Sequence, residues 1–307
     1  MAGLYEFERD KTTRRCLRMT APGFYFLKQE DYGIIVKIKQ TYRSRILKKG
    51  CEATMTICYF TASGNCLYVA RRLGGTLLSI PQLMRQKDIE IADDAVGIVC
   101  PVYAVEMPMM VREFIARAKI TTEYFFFVYT YGMGYAEAFS HARIAADAAG
   151  LDLKYVNAIQ MVDNYLPIFD MQEQMDTLPE KDMEGQIARL CKDITERKTM
   201  AIEVTDENRA VMRKYKKELA EPILRKDTAL GYMVNDKCVR CGVCAKVCPA
   251  NNITVTETGV KFSDRCEVCY ACLHNCPQNA IHLPKEANTV RFRNEHITLA
   301  DIIKANG

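Results

Sequence analysis

The feature that most constrains this 307-residue chain is a pair of cysteine runs toward its C-terminal end. The first is Cys238-Val-Arg-Cys241-Gly-Val-Cys244-Ala-Lys-Val-Cys248-Pro249, and the second is Cys266-Glu-Val-Cys269-Tyr-Ala-Cys272-Leu-His-Asn-Cys276-Pro277. Both read C-x-x-C-x-x-C-x-x-x-C-P, at an offset of 28 residues. Pro249, Asn251 and Ile253 recur as Pro277, Asn279 and Ile281, so the repeat outruns the cysteines and marks an internal duplication.

Three thiolates two residues apart can curl around one cubane while backbone N–H groups point at its sulfurs, and a fourth ligand must come from elsewhere. This is the spacing of bacterial two-cluster ferredoxins, in which the fourth cysteine of each run serves the other cluster. The expected ligands are Cys238, Cys241, Cys244 and Cys276 for one 4Fe-4S cluster and Cys266, Cys269, Cys272 and Cys248 for the other. A structural zinc needs four tetrahedral donors, usually two separated C-x-x-C pairs, which triplets followed by C-P do not supply. Residues 231–284 are thus expected to form a small α+β domain whose clusters are part of its fold. His274 lies inside the second run and reads as a packing residue, since eight thiols already supply the ligands.

The other six cysteines, Cys16, Cys51, Cys58, Cys66, Cys100 and Cys191, are scattered without a disulfide framework, which suits a reducing cytoplasm. No apolar run reaches the roughly 18 residues of a membrane span, and the N-terminus lacks the apolar core of a secretory signal. Net charge is +4, but residues 1–50 hold 12 Lys and Arg against 5 Asp and Glu, leaving 30 against 33 in the remainder. A mildly acidic body argues against nucleic-acid binding and suits docking to a basic redox partner. Nothing in the sequence fixes the oligomeric state.

Residues 1–53 are rich in Lys and Arg, with one alternating stretch at Tyr32–Lys39. They read either as an accessory strand pair or, by preference, as a poorly ordered extension ahead of a start at Met55. From Thr54 onward the pattern is α/β. Thr54–Phe60 is a short apolar strand followed by the polar turn Thr61–Cys66 and a helix over Leu67–Leu73, ended by Gly74-Gly75. Asp94–Tyr103, Tyr124–Thr130 and Leu153–Met161 are further strands, the first two near-continuous apolar runs, and Met109–Lys119 is helical. Buried strands alternating with helices imply an open parallel sheet with helices on both faces and a ligand at the carboxyl ends of the strands. A polar loop leading into a helix favours an anion. Residues 171–230, with helical spacing at Asp182–Lys198 and Asn208–Ala220, read as a helical connector, and 285–307 as a tail.

Phe60-Thr-Ala-Ser-Gly-Asn65 resembles the phosphate loop of flavodoxins, T-x-[ST]-G-N-T, in its usual place after the first strand. The resemblance implies a flavodoxin-like domain over 54–170 that binds FMN. Thr61, Ser63, Gly64, Asn65 and Cys66 would hold the ribityl phosphate, with Cys66 departing from the usual Thr or Ser. Pro101 and Tyr103, and Thr130, Tyr131, Gly132 and Tyr135, would flank the isoalloxazine; with no Trp in the chain, stacking would fall to a tyrosine. Val105 and Glu106 stand where such proteins often have glycines, and Met161–Tyr165 resembles a segment of flavodoxin and ferredoxin fusions without a role that can be read from sequence.

From residue 54 the chain resembles the fused flavodoxin-like and two-cluster ferredoxin proteins of anaerobes. The resemblance implies electron transfer between 4Fe-4S clusters and FMN within one chain, serving a partner redox protein. Two alternatives stay open: a flavin-dependent reductase of a small oxidised substrate, and a ferredoxin whose flavodoxin half has lost FMN and serves for docking. No G-x-G-x-x-G follows a strand, which argues against a nicotinamide site.

Overall fold

Apolar strands flanked by amphipathic helices have one economical solution, a sheet sandwiched between two helical layers, and the elements from Met55 to Gln160 adopt it. The computed structural model describes residues 54–103, 106–135, 137–215, 217 and 231–307. The readings made for residues 1–53, including the strand at Tyr32–Lys39, lie outside the described residues. Residues 53–307 form one compact unit.

In chain order the sheet domain contains β1 (Met55–Tyr59), α1 (Asn65–Leu73), β2 (Thr76–Ser79), the single turn α2 (Ile80–Leu83), β3 (Glu90–Ala92), β4 (Ala95–Pro101), α3 (Met109–Arg117), β5 (Lys119–Thr121), β6 (Tyr124–Tyr131), α4 (Ala138–Ala148) and β7 (Leu153–Gln160). Five strands make one all-parallel sheet in the order β2-β1-β4-β6-β7. Counted among themselves these strands run 2-1-3-4-5, the flavodoxin-like order, with the switch point between β1 and β4. β4 and β6 are buried along nearly their whole length, as central strands covered on both faces must be. β3 and β5 form a separate parallel pair.

Two elements differ from the expectation. The edge strand β2 is only four residues long, between Gly75 and the turn holding Pro81, and carries no readable alternation. The helix expected to reach Lys119 stops at Arg117, because Ala118 is extended and Lys119 begins the strand that pairs with β3.

Beyond the sheet come α5 (Met171–Asp176), a 3-10 turn at Leu178–Lys181, α6 (Met183–Thr195) and α7 (Asp206–Tyr215). The helix α6 buries Ile187, Leu190 and Ile194 against β7 and α1, so it lies on the sheet itself. The cysteine-rich part contains β8 (Met233–Val234), α8 (Val243–Lys246), β9 (Ile253–Thr256), β10 (Gly259–Phe262), α9 (Ala271–His274) and β11 (Ile281–His282), with antiparallel pairs β9-β10 and β8-β11. The duplication is visible in the backbone. Left-handed residues Arg240, Gly242 and Asn251 recur 28 positions later as Val268, Tyr270 and Asn279. The tail ends in α10 (Leu299–Asn306), whose N-terminus carries a Thr298–Asp301 capping box. It packs on α2 and α8, and Ser79 Oγ donates to Ala305 O.

Candidate functional site

The loop after β1 is shaped by Gly64, which caps α1 at φ +105°, a conformation side chains rarely adopt. A β-carbon there would also stand 3.0 Å from the side chains of Asn294 and Ile297, so the tail lies directly on the loop. Thr61, Ser63, Asn65 and Cys66 are all buried polar or thiol residues at the head of this helix. They line one side of an open cleft at the carboxyl ends of β1, β4 and β6, where parallel α/β sheets bind their ligands. Pro101 and Tyr103 from the β4 end, and Thr130, Tyr131 and Gly132 from the β6 end, complete much of the wall. Gly64 and Tyr135 do not line the cleft: Gly64 shapes the loop, and Tyr135 is partly exposed, stacked on Phe139 and edge-on to Tyr131.

The remaining wall is Val162, Asp163 and Asn164, in the segment to which the sequence assigned no role. The Asn164 amide donates to Ser63 Oγ at 2.9 Å, and Asn65 Nδ2 donates to Val162 O at 3.2 Å. Asp163 accepts from the backbone N–H of Met133 and of Tyr165, and it packs so tightly on Gly132 that any side chain there would overlap it. Burial raises the Asp163 carboxyl above its ordinary range, opposed by those N–H bonds and by Lys181.

The donor set suits an anion. Ser63 Oγ accepts from Asn164 and so keeps its own proton to give. Thr61 Oγ1 is buried without a partner, as is Tyr103 OH. The backbone N–H groups of Ala62, Ser63 and Gly64 find no acceptor among the described residues. Burial pushes the Cys66 thiol up to about 12, so it stays protonated, and it sits 3.1 Å from Thr130 Oγ1. Glu106, one of the residues standing where glycine was expected, is turned away from the cleft. It is buried against His141 Nδ1 at 2.6 Å and pairs with Arg112, while Val105 lies outside the described residues.

The eight cysteines of the two runs gather into two cavities. One is lined by Cys238, Cys241, Cys244 and Cys276, the other by Cys248, Cys266, Cys269 and Cys272. Charge effects follow the same grouping. Burial pushes the Cys244 thiol up to about 11, with Cys276, Cys238 and Cys241 adding, and the Cys272 thiol is raised well above its usual value by burial, then by Cys269, Cys248 and Cys266 of its own cavity and last by Cys244 of the other. Backbone N–H groups of Asn252 and Ala280, 28 residues apart, each donate to the sulfur four positions earlier, and Val268 N donates to Cys266 Sγ. Among the described residues no group of His, Cys, Asp or Glu could hold a single metal ion.

The cleft and the second cavity are neighbours. The Tyr103 phenol is raised well above its usual value by burial, with Cys269 and Cys66 the next contributions. His274 uses both ring nitrogens in the join: Nε2 donates to Asn164 O and Nδ1 accepts from Phe292 N, a neutral tautomer that burial favours by pulling its pKa down to about 4.

Residues 231–293 match a family model described as 4Fe-4S dicluster domain. The chain joins a flavodoxin-like domain to a ferredoxin-type one. Such a composition points to redox electron transfer. No curated protein matches the chain in sequence. Among solved structures, a flavoprotein from Bacteroides uniformis is 11% identical with a TM-score of 0.29, covering 42% of this chain and 99% of its own. Megasphaera elsdenii flavodoxin is 13% identical with a TM-score of 0.25, covering 34% and 85%. A Lactobacillus acidophilus flavoprotein solved with FMN is 12% identical with a TM-score of 0.26, covering 42% and 99%. The fold assignment rests on the strand order. Among the described residues no helix is long and apolar enough to cross a membrane.

Proposed function

We propose that this chain carries two 4Fe-4S clusters and one FMN and exchanges electrons with a partner redox protein in a reducing cytoplasm. The observation that carries the reading is the grouping of thiols: each four-cysteine cavity takes three from one run and the fourth from the other, beside a cleft with free hydroxyl and N–H donors. When bound, the clusters supply single-electron steps and the flavin one- or two-electron steps.

The residues have distinct tasks. The eight thiols hold the clusters, and the N–H bonds to Cys248, Cys266 and Cys276 stabilise charge on those sulfurs. Thr61 and Ser63 donate to the phosphate, Asp163 fixes the Gly132–Met133 turn, and Tyr103 and Tyr131 border the ring position. In the first cavity Cys241 is exposed and Cys238 and Cys276 are partly so, with only Cys244 buried, whereas Cys248, Cys269 and Cys272 of the second are buried, so the first cavity faces a docking partner and the second faces the cleft.

Anaerobic purification, with iron, sulfide and flavin quantified against protein, tests this. About eight irons and one FMN per chain are expected. Iron without any affinity for FMN would leave the docking-module reading in its place. Steady turnover of a small oxidised compound without a partner would favour the reductase reading.

A further inference from the structure

Three consecutive carbonyls of the β1–α1 loop are each held by an asparagine of the C-terminal part. Thr61 O accepts from Asn306 Nδ2 at 3.0 Å, Ala62 O from Asn275 Nδ2 at 3.2 Å, and Ser63 O from Asn294 N at 2.8 Å. Asn294 also gives its amide to Asn65 Oδ1 at 3.2 Å. All three asparagines are buried, at 0, 2 and 4% exposure, where an amide without partners would be costly.

Peptide geometry turns this clamp into a cradle. In a trans peptide the carbonyl and the next residue's N–H point in opposite directions, and no cis peptide occurs here. Pulling the carbonyls of Thr61, Ala62 and Ser63 toward the asparagines therefore swings the N–H groups of Ala62, Ser63 and Gly64 the other way. Those are the three N–H groups without an acceptor among the described residues.

Two asparagines have a second grip. Asn306 Nδ2 donates also to Val247 O at 2.9 Å, and Asn275 Nδ2 to Ala271 O at 2.9 Å. Val247 immediately precedes Cys248, and Ala271 immediately precedes Cys272. Both cysteines belong to the cavity of Cys248, Cys266, Cys269 and Cys272. The same amides thus hold the phosphate loop and the backbone that aims two thiols of one cavity.

We propose that loading of the Cys248, Cys266, Cys269 and Cys272 cavity sets the phosphate loop, so that the chain takes up FMN tightly only after that cluster is in place. The proposal rests on the flavin reading of the cleft and adds its regulation. Asn306 and Asn275 are positioning residues: they transmit the backbone geometry around two thiols to three N–H donors. Coupling of this kind is reciprocal, so bound FMN protects that cluster in turn.

The test compares FMN with riboflavin, which lacks the phosphate, by anaerobic fluorescence quenching on the full chain with iron measured for every sample. Asn306→Ala, with iron content as in the parent, is expected to weaken FMN about tenfold, the size of one lost hydrogen bond to an anion, and to leave riboflavin unchanged. Cys272→Ser, lacking its cluster, is expected to behave likewise, while Cys241→Ser in the other cavity keeps FMN affinity within about threefold of the parent. Ser79→Ala removes the neighbouring α10 contact to Ala305 O while leaving the Asn306 amide in place, and serves as the control for α10 docking. FMN affinity equal to the parent in Asn306→Ala and Cys272→Ser, or equal losses for FMN and riboflavin, overturns the proposal alone. A cluster-loaded parent that binds neither flavin overturns the flavin reading and the proposal with it. Should Cys272→Ser not fold, Asn306→Ala at full iron content decides the matter.

Discussion

The Asn164 amide donates to the Ser63 hydroxyl at 2.9 Å, joining positions 101 residues apart across the mouth of the cleft. The bond orients Ser63 so that its proton is available to an anion, which gives a task to a segment whose sequence showed only a likeness. Asn164→Ala is expected to raise the FMN dissociation constant about tenfold, near the 1.4 kcal/mol of one hydrogen bond to a charged group. Cluster content should not change. Fluorescence titration together with iron analysis checks both; a variant that loses iron as well would mean that the Asn164 side chain also supports the cluster cavities, because the bond from His274 goes to the backbone carbonyl and survives the substitution.

Thr61 presents the opposite balance. Its Oγ1 is buried without a partner, so the free protein carries an unsatisfied hydroxyl that a phosphate would satisfy. Thr61→Val removes that hydroxyl while keeping the shape. The variant is expected to be more stable without flavin by about 1 kcal/mol and to bind FMN about tenfold more weakly. Thermal melts of the flavin-free protein and a flavin titration read the two effects separately. A destabilised variant would mean that the hydroxyl already has a partner.

The crossing of ligands between the two runs is open to a direct test. Cys248 stands in the first run but shares a cavity with Cys269 and Cys272 of the second. Cys248→Ser and Cys269→Ser should therefore lose the same cluster, each retaining about four irons with the same electron paramagnetic resonance signature, while Cys241→Ser retains the other. Matching spectra for Cys248→Ser and Cys241→Ser would reverse the assignment.

Legibility varied with how local the determining chemistry is. The 28-residue repeat was plain because cluster ligation fixes residue type at fixed spacing, and the same spacing reappears in the left-handed residues 240, 242 and 251 and their counterparts. The central strands β4 and β6 were readable because burial on both faces demands continuous apolar runs, and β1 and β7 as shorter or interrupted apolar stretches alternating with helices. β2 was not, being four residues at a sheet edge. Asn275, Asn294 and Asn306 gave no signal: each bonds to the phosphate loop across more than 200 residues, and no periodicity records such a contact. The spacing in Asp182–Lys198 showed a helix, but only the folded chain identifies β7 and α1 as what its apolar stripe covers.

Glu106 shows how a residue foreign to the expected pattern is accommodated. Its carboxylate is 4% exposed and meets His141, itself 5% exposed, and Arg112 at the base of the turn that positions Tyr103; Tyr103 N donates to Glu106 O at 2.7 Å. Burial alone would raise its pKa, but the bond to His141 and the charge of Arg112 outweigh that and lower it. A carboxylate with a depressed native pKa contributes stability that is whole above the ordinary carboxylate range, near 4.3, and is lost as pH falls below it. Glu106→Gln keeps the shape without the charge and is expected to cost about 2–3 kcal/mol at pH 7, discounted because Arg112 is partly exposed. Its deficit relative to the parent should shrink as the pH is lowered through 4. Denaturant midpoints of both proteins, measured side by side at each pH, give that difference, and a deficit that stays constant on acidification would show that the ion pair contributes nothing and that shape alone matters.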